Sequence, residues 1–162
     1  MAINRRLFLA AVAAAAAGCD RNAKTAGPGT SFPDFRLPDI EGQIRERSQY
    51  AGQPFVANFW ASWCPPCRIE MPDLDTAAQK FAAHGVKFIG FSVDDDVYPV
   101  REFQLKAKVG FPLVVDSERQ LSKLLGVSSY PMTFLVSRNG LITETISGPK
   151  AWPDYPGLRA LG

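Results

Sequence analysis

Apolar residues in this chain fall into short dense runs separated by polar stretches that carry Gly and Pro. The run FVANFWA, Phe55 to Ala61, is almost wholly apolar and rich in β-formers, which is the pattern of a strand buried on both faces. From Cys64 to His84 the period changes. Ile69, Leu74, Ala77, Ala78 and Phe81 recur near 3.6 residues, and Gly85 follows as a stop, so the stretch predicts a helix. VKFIGFSV, Val86 to Val93, is the next strand. DDDVYPVREFQLKAKV predicts a second helix whose acidic start suits the helix dipole. FPLVVD reads as a strand and RQLSKLLG as a short helix closed by Gly126. MTFLVS and LITETIS read as two strands joined at the turn signal RNG. Ahead of these elements, FRLPDIEGQIRERS predicts two short strands turning at Glu41-Gly42. The closing AWPDYPGLRALG holds two prolines and few residues suited to a helix. Helices interleaved with apolar strands imply an α/β domain, a sheet covered on both faces. The terminal hairpin makes that sheet mixed.

The N-terminus reads differently. Arg5 and Arg6 precede an apolar run from Leu7 to Ala17. That run is shorter than the roughly 20 apolar residues a bilayer span needs, and it fits the core of an export signal. NRRLFLA resembles a twin-arginine signal, although Asn4 replaces the usual Ser or Thr and leaves the Sec route equally open, and AAGC, Ala16 to Cys19, resembles a bacterial lipobox. On that resemblance residues 1–18 are removed and Cys19 becomes a lipidated first residue. Residues 19–31, rich in Gly, Pro, Ala and Thr, read as a flexible tether, and residues 32–162 as one domain.

Charge narrows the function classes. The chain carries 18 basic and 16 acidic residues, so it lacks the basic excess of a nucleic-acid binder. Removing the signal takes away Arg5 and Arg6 and leaves no net basic charge to hold a membrane, so the lipid must do so.

Candidate chemistry centres on NFWASWCPPCRIEMP, Asn58 to Pro72. Cys64 and Cys67 could hold a metal, staple a loop, or exchange electrons. A structural zinc site needs four ligands, and only His84 and Cys19 remain to help, neither at finger-like spacing. A structural disulfide across so short a loop constrains the unfolded chain little. Redox exchange fits best: a C-x-x-C that follows a strand and opens a helix places the first thiol where unpaired amides stabilise a thiolate. Pro65 and Pro66 then occupy the first turn, where their missing N–H groups cost little. Cys64 is thereby the attacking thiol, and Cys67, one turn on and deeper, the resolving thiol. A copper-binding module holding Cu(I) through the same two cysteines is the alternative, with Met71 the one close candidate for a further ligand. A thiol peroxidase is disfavoured, because Trp60 stands four residues before Cys64 where such enzymes carry Thr.

This motif, together with SSYPMTFLVSRNG, FSVDDD and SGPKAW, resembles the thioredoxin-like TlpA/ResA/DsbE group of exported thiol–disulfide oxidoreductases. The resemblance spans nearly all of Phe32 to Trp152 and implies a thioredoxin-like fold with an N-terminal β-hairpin extension. It implies a cis-proline at Pro131 facing the cysteines, with the Tyr130 backbone free to pair with substrate. It also implies a disulfide between Cys64 and Cys67 and a tuning role for Glu70. Trp63 is expected to shield the cysteines and Trp60 to lie in the core. Asn58 stands where classical thioredoxins carry a buried Asp, and it cannot titrate. The group further implies no cofactor or metal, a monomer, and extracytoplasmic protein clients; Asp20 resembles the residue that retains lipoproteins at the inner membrane, which places the chain on the outer face of the cytoplasmic membrane, with the periplasm as the alternative. Cytochrome c or oxidase copper-site maturation is the kind of work implied, with electrons from a membrane donor of the DsbD/CcdA type. Four residues carry plainer expectations: Asp94, Asp95 and Asp96 cap a helix or meet solvent, and His84 is exposed.

Overall fold

A computed structural model describes residues 25–161. The export signal, Arg5, Arg6 and Cys19 lie outside the described residues.

The central sheet has five strands in the order β5-β4-β3-β6-β7: β3 Phe55–Trp60, β4 Lys87–Ser92, β5 Leu113–Val115, β6 Met132–Val136 and β7 Ile142–Ser147. β3 runs parallel to β4 and antiparallel to β6, so the sheet is mixed. Every residue of β3 is buried, as its apolar run requires. Alternation along it feeds two cores. Val56 and Trp60 meet α1 (Pro65–Ala82), α2 (Val97–Ala107) and α4 (Pro156–Leu161) on one face. Phe55, Ala57 and Phe59 meet Leu121 and Leu125 of α3 (Gln120–Leu124) and the turn that ends it, with Phe32, Phe35 and Tyr50, on the other. The hairpin of β1 (Arg36–Pro38) and β2 (Ile44–Glu46) forms a separate two-stranded sheet. Gly90 leaves room where β4 passes between Leu113 and Trp60: a Cβ would lie 2.7 Å from Leu113 Cδ2 and 3.2 Å from Trp60 Nε1, so both side chains would have to shift.

Four expectations change. Ile69, counted on the apolar face of α1, is 77% exposed, while Glu70 beside it is 2% exposed. The helix period explains this, since 67, 70, 71 and 74 share one face and 69 does not. Asp96 caps α2 by accepting from Tyr98 N–H, but Asp94 is buried rather than solvated. The C-terminus forms α4 after a 3-10 turn at Trp152–Asp154, because Trp152, Leu158 and Leu161 are drawn into the core. The latter half of the stretch read as a flexible tether is held in place. Gly29 N–H donates to Ile142, Ile142 N–H to Thr30, and Phe32 N–H to Gly140. Ala26 N–H donates to Leu125, and Thr145 Oγ1 to the Ala26 carbonyl. The open edge of β7 offers unpaired backbone groups, and this polar, Gly-bearing segment satisfies them.

Candidate active site

The sequence of β3 ends in a tight connection that delivers Cys64 to the start of α1. Cys64 is the N-cap residue in extended conformation, with Pro65 and Pro66 in the first turn. Its Sγ accepts from Cys67 N–H at 3.4 Å, so the sulfur lies against the amides at the helix start. The two cysteines form a disulfide, with Cα atoms 5.3 Å apart. Cys64 is 5% exposed and Cys67 fully buried. A thiolate is therefore favoured at Cys64 by the helix terminus and disfavoured at Cys67 by burial.

The connection itself is pinned from β4. Asp94 accepts from Ser62 N–H at 2.9 Å and from Ser62 Oγ at 2.6 Å, and also from Ser92 Oγ. It thus fixes the loop two residues before Cys64. Opposite, β6 starts at Met132, whose partner in β3 is Phe59, so Pro131 arrives beside the end of β3. The Tyr130-Pro131 bond is cis. Tyr130 meets Trp63 edge to face, with ring centroids 5.9 Å apart, and Trp63 remains 58% exposed. Cys64, Trp63, Tyr130 and Pro131 therefore share one end of the sheet.

Beneath the cysteines lies a polar group inside an apolar core. Glu70 projects from the face of α1 that also carries Cys67. Its Oε1 accepts from Asn58 Nδ2 at 2.9 Å, and its Oε2 accepts from Trp152 Nε1 at 3.0 Å and Lys150 N–H at 3.4 Å. Asn58 Nδ2 also donates to Thr133 Oγ1 at 2.9 Å, across the register pair Asn58–Thr133 of β3 and β6. Among the described residues, Asn58 Oδ1 is buried with no hydrogen-bond partner. Burial pushes the Glu70 carboxyl above its ordinary range; hydrogen bonds from Trp152, Asn58 and the Lys150 backbone oppose that, and Asp73 adds to it. A carboxyl whose affinity for its proton is raised by a dry setting can hold or release that proton.

Trp60 lies in the core and His84 is exposed, as expected. The roles of Asp94, Thr133 and Trp152 were not found from sequence. Asn58 was the one available signal, an amide inside an otherwise apolar strand that had to find buried partners.

The family model described as AhpC/TSA matches residues 28–145. The chain belongs to the AhpC/TSA family. Within that family it is similar to the thiol-disulfide oxidoreductase ResA of Geobacillus thermodenitrificans, at 33% identity over 126 residues, covering 78% of this chain and 72% of the relative. A Chlorobium tepidum protein assigned as thiol:disulfide interchange protein DsbE superposes with a TM-score of 0.78 at 30% identity, covering 85% of this chain and 100% of that one. StoA from Bacillus subtilis superposes with a TM-score of 0.64 at 30% identity, over 74% of this chain and 90% of that one. This AhpC/TSA member is accordingly a thiol–disulfide oxidoreductase of the ResA/DsbE type, with a thioredoxin-like fold and the Cys64–Cys67 pair.

Proposed function

We propose that the protein is exported, tethered to the outer face of the cytoplasmic membrane through lipidated Cys19, and reduces disulfides of extracytoplasmic protein clients. The observation that carries the redox assignment is the asymmetry of the pair: Cys64 caps a helix and keeps 5% exposure, and Cys67 is fully buried one turn before a buried carboxyl. In the reduced enzyme the Cys64 thiolate attacks one sulfur of a client disulfide and expels the other as a thiolate. Cys67 gives its proton to the Glu70 carboxylate and attacks Cys64 Sγ, releasing the second client sulfur as a thiolate; of the two client thiolates, one takes a proton equivalent to that held by Glu70, which is left ionised, and the other takes one from solvent. The client gains two electrons as a dithiol, and the enzyme is left with the Cys64–Cys67 disulfide. A membrane dithiol donor of the DsbD/CcdA type would restore it. Exposed Trp63 and half-buried Tyr130, which meet edge to face, suit contact with an extended client segment, and clients of cytochrome c or oxidase copper-site assembly fit such a reductase. The direct test is trapping: Cys67→Ala expressed in the native host should accumulate client proteins as mixed disulfides on Cys64. A variant that captures none while folded would overturn the assignment.

Glu70→Gln tests the proton route. A carboxylate beside the thiols disfavours a second negative charge, so deleting it should lower at least one macroscopic thiol pKa and shift the pH profile of exchange. Little stability should be lost, because the unpartnered Asn58 Oδ1 can turn to accept the new amide N–H. Linkage gives the sign for stability. The Glu70 carboxyl is raised above its ordinary 4.5, so its contribution is full below that pH and is lost as pH rises through the folded value. Urea unfolding should therefore show the wild type declining relative to Glu70→Gln over that window. Identical titration and exchange curves would remove Glu70 from the mechanism.

The anchor has its own test. The wild-type protein should fractionate with membranes, and Cys19→Ser should release it or block its processing. A wild type found wholly in the soluble fraction would end the lipid reading.

A further inference from the structure

The flank of Cys64 away from Pro131 carries a groove that the exchange chemistry leaves unused. β4 and β6 lie on opposite sides of β3, so α2, which follows β4, and Pro131, which precedes β6, stand on opposite flanks of Cys64. On the α2 flank two hollows adjoin. One, of about 160 Å³, is lined by Ser62, Arg68, Pro99, Glu102, Phe103 and Lys106. The other is lined by Pro65, Arg68, Ile69 and Phe103. They share Arg68 and Phe103, and between them they reach the residue after Cys64 and the residue two before it. Phe103 is the floor, held against Trp60 with ring centroids 4.9 Å apart. Exposed Pro65 and Ile69 form an apolar lip.

The charges along this groove do not cancel. Lys106 Nζ meets Glu102 at 2.6 Å. Asp94 lies behind Ser62, but it is buried and already accepts from Ser62 N–H, Ser62 Oγ and Ser92 Oγ. Among the described residues, the exposed Arg68 side chain has no ion pair. Arg68 N–H donates to the Cys64 carbonyl at 3.1 Å, which puts the two residues one turn apart on one face of α1. Side chains so placed are roughly 6 Å apart at Cβ. In an extended segment, residues two apart face the same way and lie roughly 6.6 Å apart. A client joined to Cys64 through its own cysteine therefore brings the side chain two positions away level with Arg68.

We infer that Arg68 is a specificity-determining residue: the groove between α1 and α2 receives the client segment flanking its cysteine and selects an acidic side chain two positions from that cysteine. The inference rests on the reading that Cys64 attacks client disulfides. The guanidinium offers a carboxylate two parallel donors, and Phe103, Pro65 and Ile69 shield that contact from water on one side. A client lysine at the same position meets like charge.

Single-turnover exchange tests this. The full chain with Cys19→Ser and Cys67→Ala keeps Cys64 as its one thiol. It is mixed with peptides of sequence Gly-Xaa-Ala-Cys-Ala-Xaa-Gly, each activated as a mixed disulfide with 2-thiopyridine, where Xaa is Asp, Asn or Lys. Placing Xaa on both sides serves either chain direction. The Cys64 thiolate attacks the peptide sulfur, the Cys64–peptide disulfide forms, and the thiopyridine leaves, takes a proton and is read by absorbance. An exposed ion pair changes an equilibrium by up to about fivefold, and Asp against Lys compares attraction with repulsion. Below saturation the Asp peptide should therefore react about tenfold faster than the Lys peptide in low salt, and about twofold faster in about 0.5 M salt. Arg68→Gln should flatten the order and Arg68→Glu reverse it. Any effect of Arg68 on the Cys64 thiolate cancels in the ratio between peptides. Lys87→Glu makes the same charge change at the start of β4, beside the first residue of β3 and so at the far end of the sheet, and should leave the ratio as it is. A ratio unmoved by Arg68→Glu, or moved as much by Lys87→Glu, would overturn the inference. Failure of the neutral Asn peptide to react at Cys64 would strike the exchange reading itself, and the inference with it.

Discussion

Cys64→Ser should abolish disulfide exchange, with a loss beyond about 10³-fold, the scale seen when a sole nucleophile is removed. Serine at the N-cap keeps the cap but offers no thiolate, so the fold is spared and the first attack is lost. Cys67→Ser should behave differently. The first attack proceeds, but the second, intramolecular attack is missing. An oriented neighbouring thiol acts with an effective molarity of about 10⁵ M or more, and external thiols replace it poorly. Client mixed disulfides should accumulate on Cys64 and persist. In the reduced wild type Cys64 should alkylate faster than Cys67 and with a pKa well below about 8.5. Stopped-flow alkylation with mass mapping reads both sites. Equal reactivity at neutral pH, or wild-type turnover in Cys67→Ser, would invert or erase the assignment of attacking and resolving thiols.

What was readable in the sequence was what is local. The buried strand Phe55–Trp60, the switch to a helical period after Cys64 and the C-x-x-C at that switch are all set within a few residues, and each appears in the structure. What was not readable joins residues far apart. Glu70 meets Asn58, Lys150 and Trp152, which lie 12, 80 and 82 positions away, and no local pattern pairs them. Without those partners a glutamate on a helix reads as a solvent-facing charge, and an isoleucine beside it reads as core. Asp94 misled for the same reason. Its place after a strand and before a helix suggests a cap, whereas Ser62, 32 residues earlier, turns it inward. The strap at residues 25–32 has the composition of a linker, and only bonds to distant residues, the edge of β7 and the carbonyls of Leu125 and Gly126, give it a fixed place.

Asn58→Asp should be the most destabilising of the conservative changes at the site, and in a way that depends on pH. Asn58 is 1% exposed and supplies the N–H donors that hold Glu70 Oε1 and Thr133 Oγ1. The substitution is nearly isosteric, so packing is spared. It replaces a shared donor by an acid that directly faces a second acid whose carboxyl is already raised by burial. Two carboxyls in such contact cannot both ionise cheaply, and they titrate as a pair that retains a proton. In acid the retained proton bridges them and the fold tolerates the change. The new acid has a folded pKa above its unfolded value of about 3.9, so its contribution is full below that pH and is lost as pH rises through the folded value. Each proton held in excess by the folded state costs about 1.4 kcal/mol per pH unit across that window. By pH 7 the loss should reach about 3–5 kcal/mol, the range for an uncompensated buried charge and a large share of a typical total of roughly 5–15 kcal/mol. Urea unfolding of the oxidised protein from about pH 4 to pH 8 makes the comparison. The variant and wild type should converge in acid and diverge steadily above it, and adding Glu70→Gln to the variant should restore part of the loss. A penalty of constant size at every pH would mean that shape, not charge, governs the pocket under Cys67.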